Sequence, residues 1–141
     1  MQEKYIEAVK KYQEAISTLP LPVEQWKYIW VLLVSVSENY WLNAKFNDGK
    51  DGGYQEALDV YQQIMQIELA IGDPSYHSKI GQIRYELGQF EKAKDELLRA
   101  YLIKGMYEFS YMYDPKYFEL IRPIIEDISY QNNINNSNYK F

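Results

Sequence analysis

At 141 residues, with 47% hydrophobic and 25% charged side chains, the chain can bury one core and is too apolar to stay disordered. It has no cysteine, which excludes a disulfide framework, thiolate metal sites and thiol catalysis, and fits a reducing compartment. Its net charge of −5 argues against gripping nucleic acid, where Lys and Arg must displace counterions from phosphate, and suits a basic partner instead.

Residues 2–18 read as a helix, with Tyr5, Ile6, Ala8, Val9, Tyr12, Ala15 and Ile16 on one stripe. The Leu19-Pro20-Leu21-Pro22 run ends it, because proline removes a donor and pushes its predecessor out of the helical region. A second helix is expected over 23–44. Trp26, Ile29, Trp30, Leu33, Val36 and Trp41 cover much of its circumference, so it needs neighbours on more than one side. The most hydrophobic run, residues 28–36, is about half the length that crosses a bilayer and reads as buried helix. The charged, amphipathic N-terminus has no apolar segment typical of a targeting signal. Residues 46–53 carry Asn, Asp and Gly suited to positive φ, in a turn longer than a helix hairpin requires.

A third helix is expected over 54–71. Asp73 then caps a fourth, Pro74 opens it, and Gly88 ends it past Leu87. A fifth spans 89–104 and closes at Gly105. Residues 106–113 alternate aromatics without a clear period. Asp114-Pro115 opens a sixth helix, in which Pro123 is expected to introduce a kink. The Asn-rich run from Gln131 reads as a frayed, flexible tail over 131–141, leaving 1–130 as one domain.

Three segments share one spacing: Tyr5, Ala8, Tyr12, Ala15 before Pro20; Tyr54, Ala57, Tyr61 before Ile64; and Phe90, Ala93, Leu97, Ala100 before Gly105. Recurrence of this kind marks a repeat, and stacked helical repeats build concave surfaces that bind macromolecules. The segment 74–104 resembles a tetratricopeptide repeat: Ile80-Gly81 and Gly88 stand in its first helix and turn, and Phe90, Ala93, Leu97 and Ala100 in its second. Small residues there let two helices approach and large ones fill between them. Arg84 departs from the family's usual aromatic, which points to a position facing water or a partner. The other units match less fully. Val36-Ser37 and Tyr40 with Tyr54 and Ala57 fit a repeat with a lengthened turn, and residues 5–20 fit only a second helix.

The ordered set Leu19-Pro-x-Pro…Trp26, Gly72-Asp-Pro, Gly81-Gln, Glu86-Leu-Gly, Glu91-Lys-Ala-Lys-Asp-Glu-Leu, Arg99-Ala-Tyr and Asp114-Pro-Lys-Tyr-Phe118 is similar to a group of small bacterial tetratricopeptide proteins. Its members are often encoded beside polymorphic secreted toxins and are regarded as their immunity proteins. The resemblance implies an all-α fold: about six helices in antiparallel pairs, a short right-handed superhelix and a C-terminal capping helix. It also implies a cytoplasmic protein that binds and occludes a cognate toxin, such as a nuclease effector. The alternative partner is a linear peptide held in the concave groove, as by an adaptor or secretion chaperone. Neither a nucleic acid nor a membrane is expected as partner, and the free protein is expected as monomer or homodimer.

Register in that family puts Val34, Glu38 and Trp41 from one helix, and Ser78, Gln82, Tyr85 and Glu86 from another, on the concave face. Some tetratricopeptide co-chaperones hold a terminal carboxylate with lysine and asparagine at the positions occupied here by Val34, Glu38, Ser78 and Gln82, so that clamp is missing. The acidic and aromatic lining suits a basic or amphipathic partner. Tyr107, Tyr111 and Tyr113 could either anchor a contact or pack the last helix. No cofactor, metal site or enzymatic activity is expected. His77 is the lone histidine and reads as exposed or at an interface. Most carboxylates serve as caps (Asp73, Asp114) or pair along a helix face (Glu91–Lys94, Asp95–Arg99).

Overall fold

The computed structural model describes the chain except residues 1, 21–28, 51, 68–71, 113 and 139–141; side chains 2–3 and 134–138 are likewise not described. Among the described residues there are seven helices and no strand: α1 Gln2–Ser17, α2 Ile29–Phe46, α3 Tyr54–Ile64, α4 Pro74–Glu86, α5 Phe90–Lys104, α6 Met106–Phe109 and α7 Lys116–Asn138. None of these helices is long and apolar enough to cross a membrane. The helix beyond the expected six is α6, formed within the aromatic run that lacked a period.

Caps and positive-φ residues set several of these boundaries. Asp73 accepts the Ser75 N–H at 2.9 Å, with Pro74 in the first turn of α4. Asp114 accepts the Lys116 N–H at 3.0 Å ahead of α7. Gly88 adopts φ +72°, and Asp48, Gly49, Gly52 and Gly53 all take positive φ in the α2–α3 turn. Gly53 also lies so close to α2 that a Cβ there would sit 2.8 Å from the Tyr40 carbonyl. The Glu56 carboxylate accepts its N–H at 2.7 Å and starts α3.

Two boundaries differ from expectation, and a third lies outside the described residues. α3 stops at Ile64 rather than 71, and residues 68–71 lie outside the described set. Its end tightens into i→i+3 bonds, from Gln66 N–H to the Gln63 carbonyl and from Ile67 N–H to that of Ile64. The start of the second helix at 23 also lies outside the described residues, as does Trp26. α7 runs on through Pro123 into the Asn-rich segment as far as Asn138.

Successive helices pack with contacts running in opposite directions. Tyr5 and Gln13 of α1 meet Phe46 and Tyr40 of α2. Trp41 and Glu38 of α2 meet Tyr54 and Tyr61 of α3. Tyr85 and Gly81 of α4 meet Phe90 and Leu97 of α5. Each is an antiparallel pair, and α2 has neighbours on two sides, as its wide apolar surface requires. Ala57, Ala93 and Ala100 are wholly buried, and a Cβ on Gly81 would lie 2.6 Å from Leu97 Cγ. These small residues let the backbones approach.

One hydrophobic cluster joins α2 to α7. It runs from Trp41 through Ala57, Tyr61 and Ile64 of α3 and Ile80, Ile83 and Leu97 of α4–α5 to Phe109, Tyr117 and Ile121. Most tyrosines of the interior serve as ring-to-ring spacers: Tyr61 against Tyr76, Tyr85 between Phe90 and Tyr117, and Tyr101 between Phe109 and Phe118.

Two side chains lie elsewhere than the sequence suggests. His77 is buried between α4 and α5, where its Nδ1 sits 2.7 Å from a Glu96 carboxylate oxygen. A polar ring can be buried here because α5 supplies that acid. Arg84 does not face outward freely: its Nη1 donates to Gln89 Oε1 at 2.8 Å, and its Nε is buried without a hydrogen-bond partner among the described residues.

Candidate binding groove

Packing α2, α4, α6 and the start of α7 around one another leaves a groove of about 580 Å³. α2 contributes Glu38, Trp41, Leu42, Lys45 and Phe46. Ser75, Ser78, Lys79 and Gln82 come from α4. Glu108, Tyr111 and Met112 come from α6 and its exit, and Asp114 and Tyr117 complete the wall. Spacing explains the α4 contribution: Ser75, Ser78, Lys79 and Gln82 are three or four apart and share one helix face.

Trp41 forms the floor and is only 3% exposed. Lys45 and Lys79 hold their ammonium groups 5.8 and 5.7 Å from its ring, within cation–π range. Lys79 also pairs with Glu38 at 3.3 Å. Glu38 in turn accepts a hydrogen bond from the Tyr61 hydroxyl, which ties α2 to α3. Burial, followed by the Glu38 charge and that bond, raises the Tyr61 hydroxyl well above its ordinary pKa.

A parallel arrangement ties α4 to α7. The Tyr117 hydroxyl donates to Glu86 at 2.6 Å, and Lys116 Nζ lies 2.7 Å from the same oxygen. Burial and Glu86 together push the Tyr117 pKa strongly upward. Partial burial pulls Lys116 down, but its bonds to Glu86 and Asp114 outweigh this and leave it raised. Asp114 is held below the usual carboxylate range, first by the Lys116 backbone N–H.

The groove brings together Glu38, Trp41, Ser78, Gln82 and Tyr111 of the residues singled out from sequence. Tyr85 is instead half-buried, packed edge-on against Phe90 and Tyr117 behind the groove wall. Glu86 is taken up by Tyr117 and Lys116. Tyr107 stands on the exposed surface beside the rim, accepting the Tyr111 hydroxyl at 2.6 Å with the rings edge-on at 5.2 Å. That bond raises the Tyr111 pKa. Tyr113 lies outside the described residues.

Sequence reasoning missed Lys45, Lys79 and Glu108 as lining. Lys45 carried a usable signal, standing four residues after Trp41 and therefore over it on a helix. Glu108 carried none: only the packing of α6 on α4 brings it to Ser78, whose hydroxyl it accepts at 2.7 Å.

Among the described residues no group of three His, Cys, Asp or Glu side chains could hold a metal ion. No family model, curated protein or solved structure matches this chain.

Proposed function

We propose that this protein is a tetratricopeptide-like binding module that acts stoichiometrically in the bacterial cytoplasm, as an immunity protein that covers a cognate toxin. The observation that carries the reading is the groove of about 580 Å³, which mixes a buried Trp floor with charged walls and polar groups from four helices. A concavity that combines an aromatic floor with many charged and polar groups suits recognition of a polar, protruding element of another protein. The paired helices, the recurring aromatic-alanine spacing and the acidic balance of −5 support it as well. In this reading the α2–α4–α6 face seats on the toxin's active site or substrate groove and excludes substrate by occlusion.

The test is co-expression with the product of the neighbouring gene, scored by growth and by co-purification. Immunity predicts restored growth and a one-to-one complex. Affinity should fall by about tenfold or more between 50 and 300 mM salt, because acidic surface steers and holds a basic partner. An affinity insensitive to salt would remove the electrostatic part of the reading. A harmless neighbour with no complex would remove the immunity function. The rival is a linear-peptide adaptor that holds a short segment in the same groove. It predicts micromolar binding of a short segment, where immunity requires the folded toxin domain.

A further inference from the structure

Gln82 is 8% exposed, yet its side-chain amide has no hydrogen-bond partner among the described residues and borders the groove. Most of the side chain is packed, while its amide opens into the groove with donor and acceptor unspent, so a ligand seated there could complete it. Glu108 stands in the same groove. It accepts the Ser78 hydroxyl on one oxygen, and no lysine or arginine among the described residues pairs with it. The other carboxylates of the wall differ in this respect: Glu38 is tied to Lys79, and Asp114 to Lys116. The unspent acceptors are therefore Glu108 Oε2 and the Gln82 amide oxygen. Ser78 and Gln82 are four apart on α4, which sets Gln82 one helical turn from the Ser78–Glu108 contact.

We propose that this end of the groove is an arginine-recognition subsite, in which a guanidinium of the partner pairs with Glu108, bonds to the Gln82 amide oxygen and stacks on the Tyr111 ring. The inference rests on the reading of the groove as a protein-binding site and names the partner chemistry it selects. A guanidinium fits all three features. Its planar fork presents five donors, enough for a carboxylate and an amide at once, and its weakly hydrated face stacks on aromatic rings. Tyr111 is 65% exposed at the rim, three residues from Glu108, with its hydroxyl turned to Tyr107. An acidic ligand side chain would instead seek Lys45 and Lys79, which are already held over Trp41.

The probe is the blocked tripeptide acetyl-Ala-Arg-Ala-amide, titrated into the 15N-labelled full chain. Its neutral isostere with citrulline and the corresponding glutamate peptide serve as controls. The arginine peptide should give saturable shifts of the Gln82 side-chain amide signals and of the Ser78 and Glu108 backbone signals, at millimolar concentration. The citrulline peptide should bind at least fivefold more weakly. Glu108→Gln should weaken the arginine peptide by a similar factor while leaving the rest of the spectrum in place, and Gln82→Leu should do so without creating a charge change. Glutamate binding as tight as arginine, or no saturable shift at Gln82, would overturn the subsite. The two proposals fail separately. A stable toxin complex whose affinity ignores Glu108→Gln sinks the subsite and keeps the function, whereas peptide binding without any toxin complex does the reverse.

Discussion

Two tyrosine hydroxyls carry the clearest residue-scale consequence. Tyr61 and Tyr117 each donate to a carboxylate, Glu38 and Glu86, and each is pushed above its ordinary pKa mainly by burial. An unfolded tyrosine titrates near pH ~10. Above that pH the folded state holds protons that the unfolded state has released, so stability falls as pH rises. The contribution is complete below pH ~10 and is lost progressively above it. Chemical denaturation between pH 8 and 12 should show this decline. Tyr61→Phe should cost about 1.5–3 kcal/mol at neutral pH, the worth of a hydrogen bond to a charged group, and should flatten the alkaline loss. An alkaline slope unchanged in both the Tyr61→Phe and Tyr117→Phe variants would mean that other groups control it.

At the scale of the element, the α4–α5 pair is decided by one close approach. A Cβ on Gly81 meets Leu97 Cγ at 2.6 Å and the Leu97 backbone N at 3.3 Å. Alanine would favour the isolated helix by about 1 kcal/mol, but overpacking of this kind costs about 1–3 kcal/mol, so the clash is expected to win. Gly81→Ala should therefore lower the melting temperature. Leu97 is wholly buried, and Leu97→Ala alone should cost about 2–5 kcal/mol. The double variant should be more stable than the sum of the two predicts, because removing the Leu97 branch leaves room for the new methyl. Strict additivity in the thermal denaturation of the four proteins would refute the contact as the reason for glycine.

Across the whole molecule, the cluster from Trp41 to Ile121 ties α2 and α3 to α7 through α4 and α5. Elements that share one core unfold together. Tryptophan fluorescence reports only the first third of the chain, since the Trp residues are at 26, 30 and 41, whereas far-UV circular dichroism reports every helix. The two urea transitions should coincide within error. A fluorescence transition that precedes the loss of helix would show that α1–α3 fold separately from α4–α7. Ile121 is fully buried at the far end of the cluster, so Ile121→Ala should lower both transitions together, by about 2–5 kcal/mol.

The helices themselves were legible from local chemistry. Periodicity marked the stripes, Asp73-Pro74 and Asp114-Pro115 marked starts, and Gly88 and the glycine-rich turn before Tyr54 marked reversals, because caps and positive φ depend on neighbours in the chain. The end of α3 was illegible for the same reason: no Gly or Pro stands at Ile64 to announce it. The recurrence of Tyr54/Ala57 and Phe90/Ala93 likewise foretold which small residues would be buried. The groove was only half visible. Glu38, Trp41, Ser78 and Gln82 follow from register along two helices, whereas Glu108, Lys79 and Tyr117 join them through contacts between helices far apart in sequence. His77 shows the same division, since nothing near it in the chain foretells that Glu96 of α5 would receive it in the interior. Sequence by itself determined the helices, their caps and their apolar faces, which are set within a few residues. Only the tertiary structure decided which polar groups are satisfied by one another and which, like Gln82, are left facing a groove, because that depends on how separate helices pack.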